Sequence, residues 1–70
     1  MKIEWVDGFK ISTRIEDGVT VISANKAGLL SLSKQLAALA EQEGNDHYHL
    51  DSSNSLEDGS SELIIEKIND

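Results

Sequence analysis

The sequence predicts an α+β fold: a two-layer ββαββ sandwich with one amphipathic helix on a mainly antiparallel sheet of about four strands. Three observations predict it. Residues 9–16 alternate apolar and polar, and Asp17-Gly18 leads into a second β-branched run. Leu29, Leu32, Leu36 and Leu39 then recur at spacings of three and four. Two further short strand-like runs, residues 46–51 and 61–68, follow.

Along residues 9–16, Phe9, Ile11, Thr13 and Ile15 share one side and Lys10, Ser12, Arg14 and Glu16 the other, the pattern of a half-buried strand. Asp-Gly favours a type I′ turn, which needs positive φ at both central residues. Residues 19–24 form the return strand, because β-branched side chains fit a pleated surface. Residues 2–6 suggest a short extra strand or an extension of the first, with Asp7-Gly8 as a bend.

Asn25 suits an N-cap, and the helical pattern runs from 26 to about 43. The four leucines form its expected apolar stripe, and Gly44 its left-handed C′ stop. Gly28 lies in the first turn, where glycine costs about 1 kcal/mol relative to alanine, so a neighbour is expected to pack closely there. In residues 46–51, Tyr48 and Leu50 point one way and His47, His49 and Asp51 the other. Residues 52–60 form a polar connection, with Leu56 turned back as an anchor. Leu63-Ile64-Ile65 is apolar on successive positions, which predicts burial on both faces and a central strand. Ile22, Ala24 and Ile64 or Ile68 are candidates for a partly apolar second sheet face. Trp5 and Tyr48 are expected in the core.

Seventy residues make a single domain, 1–70, with free stability on the order of 3–5 kcal/mol. Absence of cysteine excludes disulfides and Cys-type zinc sites and favours a reducing compartment, which for a bacterial protein is the cytoplasm. No run reaches the roughly 18 apolar residues of a membrane span. The first seven residues lack the apolar centre of a signal peptide, so a mature soluble chain is expected.

The net charge of −7 disfavours nucleic-acid binding through phosphate neutralisation and binding to anionic membranes, so neither is expected as a partner. Its distribution says more. Residues 1–40 carry five cations and four acids; residues 41–70 carry Lys67 against nine acids. The acids are interleaved with Tyr48, Leu50, Leu63, Ile64, Ile65 and Ile68, so that stretch should fold. An acidic face serves solubility, or it steers a basic protein partner.

His47-x-His49-x-Asp51 places three potential metal ligands on one strand face, about 7 Å apart at alternate positions. A zinc site wants three or four converging ligands, so a solvated face is the simpler reading and no metal is expected. The serines lack a nucleophile-elbow context, and no glycine-rich phosphate loop occurs. Carboxylate catalysis needs a pocket that a chain this small hardly offers. No catalytic residue and no cofactor are assigned.

The segments 25–36 (NKAGLLSLSKQL), 47–51 (HYHLD) and 56–67 (LEDGSSELIIEK), in that order, resemble a small group of bacterial immunity proteins of polymorphic toxin systems. The closest likeness is to the immunity protein 32 family and covers residues 25–68. The resemblance implies a non-enzymatic protein that neutralises a cognate toxin domain by direct binding. It transfers no catalytic residue and no binding surface. From charge and exposure, the partner-binding candidates are His49, Asp51, Glu57, Asp58 and Glu62. The alternatives are a small adaptor or homodimerising module, and a metal-dependent enzyme or metal carrier using His47 and His49.

Overall fold

A computed structural model describes residues 4–68. It holds four strands and one helix in the order β1 (Ile11–Glu16), β2 (Val19–Ala24), α1 (Lys26–Ala40), β3 (Asp46–Leu50) and β4 (Leu63–Lys67). The α+β expectation holds, with every strand pair antiparallel, but the strands form two separate hairpins rather than one sheet.

The first hairpin closes through Asp17 (φ 49°) and Gly18 (φ 79°), as a type I′ turn requires. Its register pairs Glu16 with Val19 and Ile11 with Ala24. One face carries Ile11, Thr13 and Ile15, with Ala24, Ile22 and Thr20 opposite. Ile11 and Thr13 are buried on this face, whereas Ile15, towards the hairpin tip, and Ile22, opposite Thr13, are exposed. The second hairpin pairs Tyr48 with Ile65 and Leu50 with Leu63 on the core side, and His49 with Ile64 on the outer side.

The division into two hairpins has a local cause. The outer edge of β1 is occupied by the β3–β4 connection: Glu57 N–H donates to the Ile11 carbonyl (2.9 Å) and Ser61 N–H to the Thr13 carbonyl (3.1 Å). Thr13 N–H donates to Ser60 Oγ (3.2 Å), and Thr13 Oγ1 donates to the Ser61 carbonyl. The connection therefore acts as an irregular third strand and bridges the hairpins. β4 is left with β3 alone, so its expected central position is corrected: Ile64 is 51% exposed and Ile68 71%. Ile22 and Ala24, expected on a second face, share the side of Ile11.

Asn25 starts the helix and ties it to the preceding segment. Its Oδ1 accepts from Gly28 N–H (2.8 Å) and from Lys10 N–H (3.0 Å), and its Nδ2 donates to the Gly8 carbonyl (3.0 Å). One side chain thus satisfies an orphan helix amide and fixes the approach of β1. Gly28 is buried against Lys10, Ala24 and Ile11, the close approach its sequence position predicts. The helix ends at Ala40 with Glu41 as C-cap, earlier than expected, and Gly44 (φ 74°) lies in the turn beyond. Lys67 Nζ, from β4, donates to the carbonyls of Ala40 (3.0 Å) and Gln42. A cation there satisfies open carbonyls and complements the helix dipole.

Half of the leucine stripe, Leu32 and Leu39, lies on the buried face. Gly28, Ser31, Leu32, Gln35 and Leu39 are buried, while Leu29 and Leu36, about a quarter turn round from Gly28, are 57% and 46% exposed. The N-terminal segment draws the helix round. Val6 N–H donates to Ser31 Oγ (2.8 Å), Gln35 Nε2 donates to the Glu4 carbonyl (3.5 Å), and Lys34 pairs with Glu4 (3.8 Å). Trp5 and Phe9 stack with centroids 4.5 Å apart and pack against the core of Ile11, Leu32, Leu39, Tyr48, Leu50 and Leu56. Residues 4–6 form no strand, and the rest of the expected 2–6 strand lies outside the described residues. Burial of Tyr48 raises its phenol pKa, because the core disfavours the phenolate.

Candidate functional site

The acidic connection between β3 and β4 is built by its own first residue. The Asp51 carbonyl accepts from the amides of Asn54 (3.2 Å), Ser55 (3.0 Å) and Leu56 (2.9 Å). Its carboxylate accepts from Ser53 Oγ (2.7 Å) and Ser53 N–H (2.9 Å). Asn54 closes the turn, accepting from Asp51 N–H and donating to the His49 carbonyl, both at 3.1 Å. Leu56, 5% exposed, then plugs into the core. Beyond it, Glu57 bonds to β1 through its backbone, and Asp58-Gly59 turns with Gly59 at φ 84°. The connection is thus held at Asp51, Leu56, Glu57 and Ser61.

The five candidate residues fall into three settings. The side chains of Glu57, Asp58 and Glu62 are exposed on the ordered connection beside β1. His49 is exposed on the outer face of the second hairpin, its ring edge-on to His47 with centroids 5.1 Å apart. Asp51 is turned into the loop, so its first role is structural. The spacing Asp51-Ser52-Ser53 is itself a turn signal, since an Asp side chain readily bonds the backbone two residues on.

The Ser53 hydroxyl, then the Ser53 amide, hold the Asp51 carboxyl below its usual range, with a smaller contribution from His49. A depressed carboxylate pKa favours the folded loop above the unfolded value of 3.8 and loses that contribution as pH falls through the folded value. The protection of the Ser53 and Asn54 amides, with the intrinsic pH dependence of exchange divided out, is therefore expected to stay constant down to about pH 4 and to fall below it. Asp51→Asn should remove that acid dependence. A carboxyl titrating at or above its usual value by NMR would contradict the loop geometry.

Charge is uncompensated at this surface. Among the described residues the ion pairs are Arg14–Glu16 (2.7 Å) and Lys34–Glu4 (3.8 Å), both outside the acidic third. Lys67, that third's one cation, is spent on the helix carbonyls. Sequence reading missed this role, although a lone lysine among nine acids was a usable signal. A shallow cleft of about 470 Å³ lies beside the connection, lined among others by Lys10, Ser12, Ser23, Asn25 and Glu57. Neither histidine lines it, so it brings no Ser–His pair together. Among the described residues, no group of three His, Asp or Glu could hold a metal ion. No helix among them is long and apolar enough to cross a membrane.

Fold and surface together define a small α+β domain that presents an ordered, uncompensated acidic loop. The family model described as Immunity protein 32 matches residues 19–68, from the start of β2 past the end of β4. The chain belongs to the immunity protein 32 family. The match begins six residues before the likeness read from the sequence and leaves out β1. No curated protein and no solved structure matches the chain.

Proposed function

We propose that this immunity protein neutralises a bacterial toxin domain by direct binding in the cytoplasm of the producing cell, without catalysis of its own. Glu57, Asp58 and Glu62 form the centre of the binding surface, with His49 at its margin and Asp51 holding the loop in shape. The observation that carries this reading is the pinned loop: three exposed carboxylates with no cation partner among the described residues, on backbone fixed before any partner arrives. Fixed backbone lowers the ordering entropy of association. Clustered like charge attracts a partner of opposite sign and speeds encounter. The complementary partner is a basic toxin surface, such as one that itself holds a phosphate-bearing substrate.

Combined charge reversal tests it. Glu57→Lys, Asp58→Lys and Glu62→Lys together are expected to slow association with the toxin domain by about 10–100-fold at low salt, with a much smaller effect at high salt. The three side chains are exposed, so thermal stability should change little. An unchanged low-salt association rate would place the binding surface elsewhere.

A further inference from the structure

Among the described residues, neither the core nor the acidic surface uses the edge of β2 that faces away from β1. A two-residue hairpin loop makes Glu16–Val19 a hydrogen-bonded pair, and hence also Arg14–Val21 and Ser12–Ser23. The backbone groups of the alternate residues then point away from the partner strand. On β1 this is observed, since the outward groups of Ile11 and Thr13 meet the 57–61 connection. On β2 the same parity turns the N–H and C=O of Thr20 and Ile22 outward. Among the described residues no strand pairs with them. Near the described chain ends, Glu4 bonds to Gln35 and Lys67 to Ala40, in the C-terminal half of the helix, whereas β2 leads into its N-terminus.

Exposed edges in monomers are usually blunted by lysine, proline or a bulge. β2 has none of these. Val19–Ala24 carries no charge and no proline, its ladder to β1 is unbroken, and Val19 and Ile22 are 60% and 44% exposed. Unpaired N–H and C=O groups on extended backbone call for a β-strand as occupant.

We infer that the edge of β2 pairs antiparallel with β2 of a second copy of this chain, joining two first hairpins into one four-stranded sheet. Charge selects the second copy. The protein carries −7 overall, so two copies repel across most of their surface, but the excess lies in residues 41–70. A two-fold axis at β2 brings together two neutral strips and leaves both acidic loops outside. In that pairing Thr20 and Ile22 of one copy exchange hydrogen bonds with Ile22 and Thr20 of the other, and Ile15, Val19 and Ile22 lose exposed apolar surface. The toxin-binding loop stays free, so this inference stands independently of the proposed function.

The test is amide exchange by NMR on the isolated protein over a concentration series, with sedimentation on the same samples. Thr20 and Ile22 amides should exchange freely when dilute and gain at least about tenfold protection as the sedimenting mass doubles. Ile22→Lys should raise the dimer dissociation constant at least about tenfold and abolish that protection, while the far-UV spectrum stays unchanged. Thr20→Pro, which removes one outward N–H and no bond to β1, should act the same way. A monomer at millimolar concentration would overturn the inference. So would a dimer in which both amides still exchange freely, or protection that appears only when a toxin domain is added.

Discussion

Leu56→Ala is expected to lower stability by about 3 kcal/mol, most of what a domain of this size possesses. Leu56 is 5% exposed and belongs to the core of Ile11, Leu32, Leu39, Tyr48 and Leu50, although it sits in an otherwise polar connection. Truncation leaves a cavity, and the backbone around it is held from both sides. The Asp51 carbonyl accepts from Leu56 N–H and the Ile11 carbonyl from Glu57 N–H, so the site has little freedom to collapse. In urea the midpoint should fall sharply with an unchanged slope. The consequence reaches the surface, because Leu56 precedes Glu57 and Asp58 directly. Partner binding should therefore weaken even where the variant remains mostly folded. A loss below about 1 kcal/mol would mean that the residue is an ordinary loop leucine.

Gly28→Ala is expected to destabilise by about 2 kcal/mol, against the usual sign for glycine-to-alanine changes within a helix. On propensity alone, alanine should gain up to about 1 kcal/mol. Here an added Cβ would stand 2.5 Å from the Lys10 carbonyl oxygen and 3.0 Å from both Ala24 Cβ and Ile11 Cγ1. The nearest of these is backbone and cannot swing aside. It is also held in place, since Lys10 accepts from Asn25 N–H (3.1 Å) and donates to Asn25 Oδ1 (3.0 Å). Relief requires the helix to move off β1, which opens the core at Ile11. Thermal denaturation of the variant decides the sign, and a raised melting temperature would refute the close approach.

Features set by local chemistry were legible in the sequence. The Asp17-Gly18 turn, the Asn25 cap, the Gly28 contact and the Leu56 anchor each follow from one residue type in a short context. What was not legible depends on distant partners. Whether four strands make one sheet or two hairpins turns on Glu57 and Ser61 reaching the edge of β1, which periodicity does not encode. The buried helix face went wrong for a related reason. Ser31 and Gln35 are polar residue types that periodicity leaves out of an apolar stripe, but Val6 and Glu4 cover them with hydrogen bonds, and Leu29 and Leu36 are rotated outward. The acidic surface could be found by counting charge. The inward role of Asp51 could not, because counting weighs Asp51 and Asp58 alike although one carboxylate builds the loop and the other faces solvent.

The central claim, neutralisation by direct binding through the acidic loop, is tested most directly by calorimetric titration. The protein would be titrated into a candidate toxin domain, sought in the reading frames that flank its gene, at two salt concentrations, with toxin activity assayed on the same mixtures. The expected result is a tight complex with one immunity protein per toxin domain, weaker at the higher salt, with activity lost in proportion to complex formed. Full toxin activity in the presence of excess immunity protein, or no heat of binding at either salt, would contradict it.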